Sequence, residues 1–186
     1  MTLRRAALAA IAAASLAAPA AWAAKFNVTS PGMKAGAMMP DSTVFKGFGC
    51  SGGNTSPALA WTGAPAATKS FAVTAYDPDA PTGSGWWHWT VVNLPPSTTS
   101  LPAGAGDAGG ALPAGAVQGR TDFGSAGYGG PCPPPGKPHH YVFTVWALKV
   151  ASLPVDANAS GAMVGFMLHA NSIAHTSVTF LYGRSK

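Results

Sequence analysis

Two stretches of this chain combine residue types that do chemistry. In the first, Tyr76-Asp77-Pro78-Asp79-Ala80-Pro81 is followed closely by Trp86-Trp87-His88-Trp89, so two carboxylates and an imidazole stand beside an apolar run. In the second, Tyr128-Gly129-Gly130-Pro131-Cys132-Pro133-Pro134-Pro135-Gly136 leads into His139-His140-Tyr141. Such residues support three chemistries. In an anion pocket, imidazole N–H groups, the Tyr141 hydroxyl and the backbone N–H groups of the Gly129-Gly130 turn donate to phosphate or carboxylate oxygens. A carboxylate fits there if Asp77 accepts from a histidine and fixes its tautomer, or if the ligand also carries an ammonium group. In a metal site, two histidines and one carboxylate suffice for several transition metals, but there is no helical His pair and no C-x-x-C element. In a serine hydrolase, Gly49-Cys50-Ser51-Gly52-Gly53 fits G-x-S-x-G, and Ser51, Asp77 and His88 occur in the order Ser, Asp, His. That motif needs a helix after it, and Asn54-Thr55-Ser56-Pro57 argues against one. A plainly structural role is the alternative to all three, because Asp-Pro-Asp is an ordinary turn former and tryptophans are ordinary core residues.

The elements that must position these groups are strands. Phe71–Tyr76, His88–Leu94 and Tyr141–Leu148 are rich in β-branched and aromatic residues and predict a central sheet. Ser56–Trp61 predicts a short strand entered through Pro57, and Ser177–Tyr182 another. Period two along the third strand places His139, Tyr141, Phe143 and Val145 on one face and His140, Val142, Thr144 and Trp146 on the other, so only one of the adjacent histidines faces a given pocket. One helix is expected after a cap at Ser160, with Met163, Val164, Phe166, Met167 and Ala170 as its apolar stripe and Gly161 and Gly165 weakening it. From Pro95 to Gly127 the chain is rich in Gly, Ala, Pro and Ser, which predicts a long surface connection that carries function or covers a sheet edge.

The N-terminus reads as a signal peptide over residues 1–23: Arg4 and Arg5 form the basic region, Ala6 to Ala18 the apolar region, and Ala21-Trp22-Ala23 the small-x-small cleavage site. Pro19 interrupts the apolar run, so a spanning anchor is not expected. Residues 24–186 then form one domain, periplasmic or secreted, and without a transmembrane segment. Of 186 residues only 9% are charged, and all six acids are aspartates. Without a basic run, nucleic acid is not an expected partner. Two cysteines, Cys50 and Cys132, are present. An exported protein meets an oxidising compartment, which favours a disulfide between them over two buried thiols.

Taken together, several motifs resemble the phosphatidylethanolamine-binding protein family in its bacterial Raf-kinase-inhibitor-like branch. They are Gly49-Cys50-Ser51-Gly52-Gly53-Asn54-Thr55-Ser56-Pro57 with Trp61, Asp77-Pro78-Asp79-Ala80-Pro81 with His88-Trp89, and Asp122-Phe123-Gly124 through Gly136 with His139 and Tyr141. The resemblance implies a mainly β domain in which a large antiparallel sheet packs with a smaller sheet and a few peripheral helices. It implies a pocket for phosphate-like anions or phospholipid head groups, lined by Asp77, His88, Gly130, Pro131, His139 and Tyr141, with Asp79 and Pro81 shaping the rim. It implies a non-enzymatic binding protein without a cofactor or metal. An inhibitor or modulator of another protein, such as a protease or kinase, acting through the Pro95–Gly127 segment is the second expectation, and a small hydrolase the third. Two positions depart from the family pattern: His140 replaces a usual arginine and Thr121 a frequent asparagine, and neither is expected to alter the pocket.

Overall fold

In the computed structural model, residues 25–185 are described. The signal-peptide region and its expected cleavage site after Ala23 lie outside them. Three long strands, β5 (Ser70–Asp77), β6 (Trp86–Leu94) and β9 (His139–Leu148), dominate the chain at the places the β-rich runs predict. With β10 (Ser172–Tyr182) and β8 (Val117–Gln118) they form an antiparallel sheet of order β10-β9-β5-β6-β8. A smaller sheet joins β1 (Asn27–Thr29), β4 (Leu59–Thr62) and β7 (Ser100–Leu101) in the order β1-β4-β7. A two-residue pairing of β2 (Lys46–Gly47) with β3 (Cys50–Ser51) makes a small hairpin. The chain thus has the expected large and small sheets, but one α-helix among the described residues in place of several.

Alternation along the long strands builds two apolar layers. Val73, Ala75, Val91, Tyr141, Phe143, Val145 and Phe180 meet Val28, Leu59, Trp61 and Leu101 of the smaller sheet. On the opposite face, Ala72, Val92, Trp146 and Leu148 pack against Val164 and Leu168 of helix α1 (Gly161–Asn171). Ser160 caps that helix through the Met163 N–H, as expected. Its buried face, however, is Gly161, Val164, Gly165 and Leu168, while Met163 and Phe166 of the expected apolar stripe are 52% and 70% exposed. The glycines are the cause. A Cβ at Gly161 would lie 2.2 Å from Cγ of Trp87, so the helix seats its bare backbone on the indole, a contact that hydrophobic periodicity cannot register.

The segment from Pro95 to Gly127 is not merely a surface connection. It contributes β7 and β8, so it pairs with both sheets and covers the free edge of β6. Ala105 and Gly106 are buried, and a Cβ at Gly106 would lie 2.7 Å from the Trp89 ring. The carboxylate of Asp107 accepts the Ser56 N–H at 2.8 Å, and Ser56 Oγ accepts the Gly106 N–H at 2.8 Å.

Candidate functional site

Antiparallel pairing brings the separated polar clusters together. Both neighbours of β5 run against it, so the end of β5 meets the beginnings of β6 and β9: Asp77 pairs with Trp86, and Tyr76 with both Trp87 and Val142. Asp77, His88, His139 and Tyr141 therefore share one end of the large sheet and line one cavity of about 220 Å³. That volume lies below the ~300–1,000 Å³ of sites for drug-sized ligands, which suits a compact group. Trp86 and Phe123 add walls; Phe48, Pro81 and Pro134 stand at the mouth.

Asp77 is 3% exposed and fully engaged. One carboxylate oxygen accepts the Asp79 N–H at 2.8 Å, and the other bonds Nδ1 of His139 at 2.8 Å. A carboxylate only accepts, so His139 carries a proton on Nδ1 and turns Nε2 to the cavity. His88, 4% exposed, bonds the Gly129 carbonyl through Nδ1 at 2.6 Å, which likewise places a proton on Nδ1. Burial lowers its pKa to about 4, against the partial opposition of that carbonyl and of Asp77. At neutral pH His88 is uncharged and its Nε2 is an acceptor.

Tyr141 is 2% exposed, and its hydroxyl lies near the Asp77 carboxylate but makes no hydrogen bond of good geometry. Burial, and then the nearby charge of Asp77, push the phenol well above its usual pKa, so it stays a proton donor. The indole N–H of Trp86 is buried and unpartnered as well. Leaving such a group unpaired costs about 1–3 kcal/mol, and both groups belong to residues of the cavity wall, whereas Trp61 Nε1 and Thr90 Oγ1 are unpartnered away from it.

Three expected site residues stand elsewhere or act otherwise. Gly130 and Pro131 are buried behind the wall and do not line the cavity. The Gly129 N–H is spent on the His88 carbonyl at 2.8 Å and the Gly130 N–H on Oδ1 of Asn54 at 2.8 Å, so this turn offers no N–H to an anion. A Cβ at Gly130 would fall 2.1 Å from the Thr43 carbonyl; close backbone packing is what requires glycine there. Asp79 lies outside the cavity, where hydrogen bonds from the His140 ring and backbone, at 2.6 and 2.8 Å, hold its carboxyl below the usual range. Pro81 lines the mouth as expected. His140 faces away from the cavity, and Thr121 is buried with its hydroxyl on the Ser125 carbonyl at 2.9 Å, so neither departure from the family pattern reaches the pocket.

Ser51 lies exposed on the β2–β3 hairpin and does not line the cavity, and His88 bonds a carbonyl in place of a carboxylate, so Ser51, Asp77 and His88 form no triad. Among the described residues no group of three His, Cys, Asp or Glu side chains is placed to hold a metal. Cys50 and Cys132 are joined, with Cα atoms 6.0 Å apart, and Cys132 reaches the cavity wall. Trp86 was legible in principle: period two puts it on the face of His88. Phe48 had no such signal, because the disulfide and a left-handed backbone turn at φ 52° carry it to the mouth.

A family model described as phosphatidylethanolamine-binding protein matches residues 29–183. The chain is 64% identical over 164 residues to the UPF0098 protein YbcL of Escherichia coli strain K12, covering 87% of this chain and 90% of that one. It is 54% identical over 156 residues to the UPF0098 protein YbhB of the same strain, covering 84% and 99%. The crystal structure of E. coli YbcL, described as a new member of the mammalian PEBP family, matches with a TM-score of 0.85 at 63% identity, covering 87% of this chain and all of that one. A PEBP homolog, CT736 of Chlamydia trachomatis, matches with a TM-score of 0.72 at 29% identity, covering 86% and 98%.

Proposed function

The chain belongs to the phosphatidylethanolamine-binding protein family, and from that premise we propose that it is an exported, non-enzymatic binding protein whose cavity takes a small phosphate-type anion, free or as a head group. The observation that carries this is the Tyr141 hydroxyl, a buried donor without a well-formed hydrogen bond in the wall that also presents His88 and His139. A ligand oxygen accepting from it, and from the indole N–H of Trp86, removes the penalty both donors carry in the free protein. Asp77 does not repel the ligand unopposed, since its oxygens are occupied by His139 and the Asp79 N–H. The signal-peptide layout of residues 1–23 supports a periplasmic or secreted location.

Tyr141→Phe tests this without disturbing the fold. The hydroxyl's contact with the Asp77 carboxylate is not a well-formed bond, so the thermal midpoint should change little, while affinity for phosphoethanolamine should fall about ten- to hundredfold, the worth of one hydrogen bond to a charged group. Unchanged affinity by calorimetry would remove Tyr141 from the site. His139→Ala is a poorer test, because it strips a partner from the buried Asp77 carboxylate and should destabilise the fold by about 1–3 kcal/mol. A protein-binding role for Pro95–Gly127 has less support: Ala105 and Gly106 are buried, so a deletion there would damage the core.

A further inference from the structure

We infer that Asn54 holds His88 in one tautomer, and that the cavity therefore selects an oxyanion that carries a proton over one that does not. The inference rests on the anion-binding reading above and adds a ligand class to it: phosphate monoesters as monoanions, in preference to sulfate esters and to dianionic phosphates.

The Gly129 peptide is clamped from both sides by one side chain. Asn54 Nδ2–H donates to the Tyr128 carbonyl at 3.2 Å, and Asn54 Oδ1 accepts the Gly130 N–H at 2.8 Å. Between these two bonds the Gly129 N–H is fixed on the His88 carbonyl and the Gly129 carbonyl on His88 Nδ1. Asn54 itself takes a left-handed backbone, φ 53°, which asparagine tolerates better than most residues. The short bond of the His88 ring is to the Gly129 carbonyl, with the Gly130 backbone acting on it more weakly, and Asn54 fixes both peptides, so the clamp sets which ring nitrogen holds the proton.

With Nδ1 protonated and the ring neutral, Nε2 can only accept. The groups facing His88 make it costly to protonate Nε2 or to admit a second negative charge: burial opposes the imidazolium, and Asp77 from β5 and Asp122 from the 121–124 turn oppose a dianion. From β9, Tyr141 meets the ring edge-on at 5.1 Å and supplies a donor, and His139 is held by Asp77. A ligand matching this set has an ionised oxygen for Tyr141 and Trp86 and a P–OH for His88. A sulfate ester carries the same single charge without that proton, so its oxygen meets the His88 lone pair head-on. Enzyme pockets gain discrimination in a similar way, by leaving a buried polar group unpaired with the wrong ligand.

The decisive comparison is phosphoethanolamine against O-sulfoethanolamine, titrated by calorimetry at pH 6 and pH 8. The phosphate ester should bind at least about thirtyfold more tightly at pH 6. Its affinity should fall about fiftyfold by pH 8, as the second phosphate ionisation near pH 6 removes the P–OH. With an alkylphosphonate, whose second ionisation lies higher, the inflection should move up with the ligand. Equal binding of the two esters, or an inflection that stays put between ligands, would overturn proton selection while leaving the anion pocket standing; no binding of any of these would fell the pocket itself. Asn54→Gly keeps the left-handed backbone and removes the clamp. In that variant the ¹⁵N spectrum of His88 should show a second tautomer and the preference between esters should shrink to a few-fold. A single Nδ1–H tautomer with full preference retained would overturn the role of Asn54.

Discussion

Reduction of the Cys50–Cys132 bridge should lower the unfolding free energy by about 4 kcal/mol, given that the two cysteines are 82 residues apart. The bridge closes a loop containing β4, β5, β6, β7 and β8, so the unfolded chain regains a large share of its freedom when the bond opens. The loss falls partly on the cavity. Cys50 belongs to the hairpin whose turn carries Phe48, Cys132 lies in the cavity wall with its sulfur 3.5 Å from the Phe48 carbonyl, and Phe48, 69% exposed, is otherwise held by contacts with Phe45 and Phe123. Denaturant unfolding with and without reductant measures the effect: the midpoint should drop and the slope should rise, because the reduced unfolded chain exposes more surface. A Cys50→Ala/Cys132→Ala variant should match the reduced protein and ignore reductant. An unaltered wild-type midpoint under full reduction would mean that the bond adds nothing to the fold.

Acid should destabilise the protein by about 3 kcal/mol through His88 alone, most of it between pH 6.5 and pH 4. Burial depresses the folded pKa to about 4 from an ordinary 6.5. Below pH 6.5 the unfolded chain takes up a proton that the folded chain refuses, so stability declines by about 1.4 kcal/mol per pH unit until the folded ring also protonates near pH 4. The contribution is therefore present above pH 6.5 and lost as the pH falls. The low pKa of Asp79 acts in the same direction, but only below the carboxylate range, and its exposed position makes the effect small. His88→Gln keeps an amide N–H for the Gly129 carbonyl and cannot titrate. Urea unfolding at pH 4.5, 5.5 and 6.5 should show the wild type losing stability across the series and the variant holding nearly level; equal slopes in the two proteins would refute the buried, neutral His88.

The long strands and the main site residues were legible because both follow local rules. β-Branched and aromatic runs marked β5, β6 and β9, and period two separated His139, on Asp77, from His140, on Asp79. Features set by close approach were not. The helix packs through Gly161 and Gly165 because Trp87 lies beneath them, and no periodicity of apolar residues reports a glycine face. Gly130 carries the same lesson: its motif suggested an open N–H donor, whereas the N–H is bonded to Asn54 and the missing Cβ makes room for the Thr43 carbonyl. The direction in which His88 uses its proton was also hidden, since it depends on a carbonyl brought in from Gly129.

On the function proposed above, the cavity at the shared end of β5, β6 and β9 binds an anion. Calorimetric titration of the protein with phosphoethanolamine at pH 6 tests it most directly. One site should saturate, and the amide and ring signals of His88, His139 and Tyr141 should shift in step with occupancy. A folded protein that gives neither heat nor shifts at those three residues would contradict the claim.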